Sequence, residues 1–171
     1  MLFLFDYLDQ TSIFLDRPVY IRSFYEVRYV SALVVDPEGI QSSVTMSQID
    51  RTLFLIKDGL SDQPYSKESS IIYLSFLSTT VSNTYLRHEN ARIKLTKSDQ
   101  SKLFAEDATF KLLFGRTRKD VIAFESINLP QHYIGVDPDS QTALVLSQPT
   151  QLFNDIELLD QRFLFKLVFN Q

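Results

Sequence analysis

Leu74 to Phe110, LSFLSTTVSNTYLRHENARIKLTKSDQSKLFAEDATF, is the stretch whose reading decides the fold. Two phrases stand out in it, Tyr85-Leu86-Arg87-His88 and Asp107-Ala108-Thr109-Phe110, joined by a strand-like run and a polar turn. Its skeleton recurs on either side. An aromatic closes a short apolar run at Ile21-Arg22-Ser23-Phe24, at Tyr73-Leu74-Ser75-Phe76 and at Val121-Ile122-Ala123-Phe124. Nine residues beyond each aromatic, Leu33, Tyr85 and Tyr133 open a second short strand, and five beyond it stand Tyr29, Val81 and Leu129.

Each copy continues with a polar turn: Asp36-Pro37-Glu38-Gly39, His88-Glu89-Asn90 or Asp137-Pro138-Asp139. A third strand follows (Ser43 to Met46, Arg92 to Thr96, Ala143 to Leu146), then a fourth (Thr52 to Ile56, Thr109 to Leu113, Phe163 to Val168). Four short strands per unit, with turn residues between them and a repeat of about fifty residues, read as all-β. Three such units close most simply into a β-trefoil; a β-sandwich would require the matched spacings to be accidental. The expected organisation is a single domain over residues 1–171, with repeats at 19–62, 71–118 and 120–171 after an N-terminal extension over 1–18.

Two segments complicate this pattern. Ile156, Leu159, Phe163 and Leu167 fall at helical spacing. The aromatic-rich run from Phe163 favours strand, so Asp155 to Gln161 is expected to hold no more than a helical turn. Leu2-Phe3-Leu4-Phe5 resembles a surplus fourth strand, expected either to cap its own barrel or to pair with a second chain.

Composition narrows the function classes. The 171 residues are 44% hydrophobic and 13% aromatic, which describes a packed core. With no cysteine and two histidines there is no disulfide framework, no thiolate and no plausible metal cage. The net charge of −4, with scattered Lys and Arg, argues against nucleic acid. No apolar run reaches the length of a membrane helix, and Met1 to Asp6 does not read as a signal peptide. The four glycines are isolated, so no phosphate loop exists, and no cofactor is expected. No acidic pair is singled out for glycoside cleavage. The chain reads as a binding protein, not an enzyme.

Tyr85-Leu86-Arg87-His88, the later Phe104-Ala105-Glu106-Asp107-Ala108-Thr109-Phe110 and the flanking Phe124-Glu125-Ser126-Ile127-Asn128-Leu129-Pro130 together resemble the arabinofuranose-binding β-trefoil family of AbfB carbohydrate-binding modules. The match is good from Leu74 to Tyr133, recognisable only by register from Phe24 to Gly59, and absent before Phe24. The resemblance implies a non-catalytic module with one shallow pocket per repeat for an arabinofuranosyl side chain. It also implies that His88, Asp107 and the following polar residue Asn90 face the sugar. The chemistry of these residues is compatible: a furanose presents adjacent hydroxyls, which suit a carboxylate acceptor beside an imidazole or amide. Tyr85 or Phe104 would supply the apolar wall.

The departures point the other way. By the same register, the His and carboxylate positions fall at Asp36 and Asp50 in the first repeat, and at Val136 or Asp137 with Asp160 in the third. Neither repeat keeps the imidazole, and a carboxylate present in all three turns reads as structural. Glu89 stands where the family often has an aromatic. His132 and the basic stretch Arg116, Arg118 and Lys119 read as solvated loop residues. Two functional readings therefore remain: a carbohydrate-binding module with one surviving pocket in repeat 2, and a degenerate trefoil serving protein interaction or assembly without sugar.

Overall fold

The computed structural model describes residues 15–34, 42–61, 71–151 and 155–170. Asp36 and the surplus N-terminal segment lie outside the described residues. The chain folds as an all-β trefoil. Its first four strands are β1 (Pro18–Ser23), β2 (Tyr29–Val34), β3 (Ser42–Ser47) and β4 (Phe54–Asp58). The next four are β5 (Ile72–Ser78), β6 (Thr84–Glu89), β7 (Arg92–Lys97) and β8 (Phe110–Phe114), with a short helix α1 (Lys102–Asp107) before the last. The final four are β9 (Ile122–Ser126), β10 (Tyr133–Val136), β11 (Leu144–Ser147) and β12 (Phe165–Phe169).

The first and last strand of each set form the barrel. β1 pairs with β12 and β4, β5 with β4 and β8, and β9 with β8 and β12, all antiparallel, so the ring closes. Closure satisfies the backbone groups that an open edge would expose. The inner strands form the hairpins β2–β3, β6–β7 and β10–β11, which cap one end. The hairpins join at Ser42↔Leu95, at Arg92↔Val145 and at the bridge Thr45↔Ala143.

The core follows this threefold pattern. Phe54, Phe110 and Phe165 occupy matching barrel positions, paired with Ser78, Ser126 and Ser23 respectively. Two residues before these serines come Phe76, Phe124 and Ile21, all buried. The rings pack edge on edge: Phe54 to Phe76 at 6.1 Å between centroids and Phe76 to Phe124 at 5.3 Å, with Phe165 beyond at 5.8 Å from Phe124. Under the cap, Val30, Leu86 and Ile134 face Met46, Leu95 and Leu146 across their hairpins.

This register corrects the expected alignment of the first repeat. The residue equivalent to Phe76 and Phe124 is Ile21, not Phe24, and Tyr29, not Leu33, pairs as Tyr85 and Tyr133 do. An aliphatic side chain fills the core position there, so the aromatic anchor pointed three residues too far. Phe24 instead packs against a second cluster outside the barrel, formed by Val121, Ala123, Tyr133, Ile156, Leu159, Phe163 and Leu164. The segment before β12 forms two 3-10 turns, Ile156–Leu158 and Gln161–Phe163, so Phe163 ends a turn and packs in this cluster, and the strand expected from Phe163 begins at Phe165. Helix α1 is absent from the sequence reading. Its signal was Ser101, whose side chain caps the helix by accepting from the Phe104 amide at 3.0 Å.

The loop carrying Arg116, Arg118 and Lys119 is anchored to this C-terminal segment. Glu157 Oε1 accepts from the Thr117 and Arg118 amides at 2.8 and 2.6 Å, and Oε2 accepts from the Thr117 hydroxyl at 2.5 Å. The Arg118 guanidinium lies 4.3 Å from the Phe24 ring centroid. The Thr117 hydroxyl and the two amides hold the Glu157 carboxyl below the usual carboxylate range.

Two outcomes follow for stability. Phe76→Ala should lower unfolding free energy by about 3–5 kcal/mol, read from denaturant unfolding, because it removes the ring in contact with two others. A lowered folded-state pKa contributes stability above the unfolded value, and that stability is lost as pH falls through the folded value. Glu157→Gln should therefore reduce the melting temperature at neutral pH, and the difference from wild type should vanish in acid below the ordinary carboxylate range.

Candidate functional site in repeat 2

Alternation along β6 turns Thr84, Leu86 and His88 to the buried side. His88 is thus a strand residue and not part of a turn, and only 5% of it is exposed. The hairpin turns instead at Asn90 and Ala91, with φ of 49° and 61°. Successive positive φ values suit the tight turns that match strand twist, and asparagine adopts them readily. Asn90 is exposed at this tip.

Asp107 ends α1 and is 8% exposed. Between it and His88 lies Asn128, supplied by the connection after β9. The Asn128 side-chain amide donates to Asp107 Oδ1 at 2.7 Å. Asn128 Oδ1 accepts from the Ser126 hydroxyl at 2.7 Å and lies 2.8 Å from His88 Nε2. This arrangement makes His88 Nε2 the protonated nitrogen. His88 Nε2 also stands 3.4 Å from Asp107 Oδ1. The cluster therefore spans the seam between the second and third sets of strands.

Arg87 closes the outer side. Its Nη1 lies 3.6 Å from Asp107 Oδ2, and its Nη2 donates to Glu89 Oε1 at 2.5 Å. Lys94 donates to the other Glu89 oxygen from across the hairpin. The Lys94 hydrogen bond, with the Arg87 charge adding to it, holds the Glu89 carboxyl below its ordinary range against an opposing desolvation. The guanidinium sits 5.1 Å from the Phe104 ring centroid, and Phe104 meets Tyr85 edge on at 6.3 Å. Phe104 is 2% exposed, so its ring supports Arg87 and offers no open wall; Tyr85 is half-buried.

The other two sets do not repeat this chemistry. By strand register, His88 is matched by Ala32 and Val136. Counting three residues back from Phe54, Phe110 and Phe165 matches Asp107 with Arg51 and Arg162. Asp50 and Asp160 are not its equivalents. Asp160 instead accepts from the Arg162 amide at 3.1 Å and caps a 3-10 turn. Arg51 covers Tyr20, its guanidinium 4.5 Å from the ring centroid. His132 is half-buried, with Nδ1 3.1 Å from the Pro130 carbonyl oxygen.

Sequence reasoning did not single out Ser126 or Asn128 as site residues. The available signal was the serine present in every repeat, Ser23, Ser78 and Ser126, followed two residues later by a side chain able to hydrogen-bond. Ser78 meets Thr80 at 3.1 Å much as Ser126 meets Asn128.

The model of the alpha-L-arabinofuranosidase B (ABFB) domain matches residues 20–150. The chain belongs to this family. ABFB domains are carbohydrate-binding modules linked to arabinofuranosidases, in which they are the non-catalytic part. Among solved structures, a GH54 α-L-arabinofuranosidase soaked with a cyclic sulfate inhibitor superposes with a TM-score of 0.64 at 20% identity, over 89% of this chain and 31% of that one. An arabinofuranosidase complexed with arabinofuranosyl-α-1,2-xylobiose gives 0.58 at 20% identity, over 90% and 31%. The ABFB chain thus spans about a third of the length of these enzymes. The cytokine interleukin-36α shares the fold alone, with a TM-score of 0.51 at 14% identity over 91% of this chain and 96% of that one. Among curated proteins, no sequence matches this chain.

Asn128→Ala should cost about 1–3 kcal/mol in denaturant unfolding, since it leaves buried His88 and Asp107 without their shared partner. Thr80→Ala, at the exposed equivalent position, should cost far less.

Proposed function

We propose that this ABFB domain binds an arabinofuranosyl side chain of a glycan at the His88–Asn128–Asp107 cluster and carries out no catalysis itself. The observation behind this reading is that, among the described residues, imidazole, amide and carboxylate converge at one place, the seam between the second and third sets of strands. Asp107 accepts from sugar hydroxyls, Asn128 donates and accepts, and His88 is held in one tautomer by Asn128. Arg87, buttressed by Phe104 and tethered by Glu89, contributes guanidinium N–H groups beside the Asp107 carboxylate. Tyr85 supplies the apolar flank and Asn90 sets the hairpin tip at the rim. A single sugar ring offers few atoms, so affinity is weak.

One observation favours a second reading. His88, Asn128, Ser126 and Asp107 already satisfy one another, as a purely structural lock between repeats would. In that case the domain serves protein interaction or assembly without sugar.

Calorimetric titration with arabinofuranosyl oligosaccharides separates the two. The sugar reading expects saturable binding, weakened about 10- to 100-fold by Asp107→Ala in a protein of unchanged fold, as expected for a lost charge-assisted hydrogen bond. Absence of heat at millimolar sugar, with Asp107→Ala losing stability instead, would favour the structural lock.

A further inference from the structure

At the third-repeat counterpart of the His88 site lies an open cleft of about 390 Å³, within the range of small-ligand pockets. It is lined by the β1–β2 connection, the β10–β11 hairpin and the 3-10 turn before β12. Its chemistry is unlike that of the His88 site: Val136 replaces the imidazole, Arg162 stands at the carboxylate position and Tyr25 at the position of Asn128. We propose that this cleft is a second glycan-binding site, built for an uncharged pyranose ring and not for the ligand of the His88 site.

Three features carry this assignment. First, the cleft has a preset donor pair. Arg28 Nη1 donates to the Gln141 carbonyl at 2.9 Å and Arg162 Nη1 to the Val136 carbonyl at 3.3 Å, so one hairpin holds both guanidiniums. Arg162 is also stacked 4.1 Å from the Phe163 ring centroid. Gly135 makes room for that ring, because a Cβ there would lie 2.6 Å from it. Each guanidinium retains further N–H groups beyond these bonds.

Second, the acceptors are preset as well. Asp137 and Asp160 each use one oxygen on a backbone amide, at 3.1 Å in both cases, and both carboxylates line the cleft. Glu26 is paired with Arg28 at 3.0 Å. Arg28 and Arg162 against Glu26, Asp137 and Asp160 leave one excess negative charge in the lining, which disfavours an anion such as a uronate. Donors and acceptors side by side suit vicinal hydroxyls, which both donate and accept.

Third, Tyr25 rims the cleft with 51% of its surface exposed, backed edge on by Phe24 at 5.0 Å. The chair of a pyranose presents a flat patch of C–H groups to such a ring. Phe24 is in turn covered by the Arg118 guanidinium, 4.3 Å from its ring centroid, so the Tyr25 ring has a packed support behind it. An exposed aromatic beside a polar recess is the combination that orients an amphipathic ligand.

The proposal rests on the carbohydrate-binding character of the family but not on the His88 site. NMR titration of the full chain with methyl xylopyranoside and methyl galactopyranoside tests it, with methyl glucuronide and glucosamine run beside them. The expected result is saturable shifts at Tyr25, Asp137 and Arg162 with a neutral pyranoside, weakened about fivefold in Tyr25→Ala, whose exposed position leaves the fold intact. No shift at these residues at tens of millimolar sugar overturns the proposal. So does a response confined to the charged sugars, or one unchanged in Tyr25→Ala. Arabinofuranoside added separately reports on His88 and Asn128, so failure of that site and failure of the cleft give different spectra.

Discussion

The structure depends on closure of the barrel between its first and last strands. β1 and β12 pair over five residues, from Val19↔Phe169 to Ser23↔Phe165, and this pairing places Ile21 and Phe165 among the rings supplied by the other two sets. Without it, β1 and β12 would be open edges and the Phe54, Phe76, Phe124 and Phe165 assembly would lose one wall. The hairpin cap is joined through few pairings, at Ser42↔Leu95, Arg92↔Val145 and Thr45↔Ala143, so its position also follows from the closed barrel.

A threefold backbone carrying unequal side chains gives three unequal surfaces. At one spatial position the sets present Ala32 with Arg51, His88 with Asp107, and Val136 with Arg162. The carboxylate is kept only where an amide and an imidazole adjoin it, and the arginines replacing it are each stacked on aromatic rings. At the first position Arg51 lies over the Tyr20 ring, the second is a satisfied polar cluster, and the third is an open cleft. The barrel tolerates this variation because the side chains concerned lie outside its Phe-rich interior.

How much of this was legible in the sequence differs by element. Strands anchored by aromatics, at Phe76 and Phe124, could be read directly, since their rings fill the barrel core in two of the three sets. The first repeat was misaligned because Ile21 fills the same space and Phe24, the nearest aromatic, belongs to another cluster. Helix α1 was missed because its six residues are too short to show periodicity; only the Ser101 cap marked it. In the candidate site, His88 and Asp107 were legible as phrases, but Asn128 belongs to the next repeat in sequence and reaches them only through the β8–β9 pairing. The pairing of Glu89 with Lys94 was likewise invisible, since it needs the register of the β6–β7 hairpin.

The central claim is that arabinofuranosyl recognition, as distinct from any other sugar binding, belongs to the His88–Asn128–Asp107 cluster in which imidazole, amide and carboxylate converge. Residue-resolved ¹⁵N NMR of the His88 imidazole and the Asn128 side-chain amide, recorded as an arabinofuranoside is added, tests it most directly. The account predicts that both signals move together and saturate, while the Ala32 backbone amide stays fixed. Unmoved His88 and Asn128 signals alongside saturable shifts around Ala32 and Arg51 would contradict it.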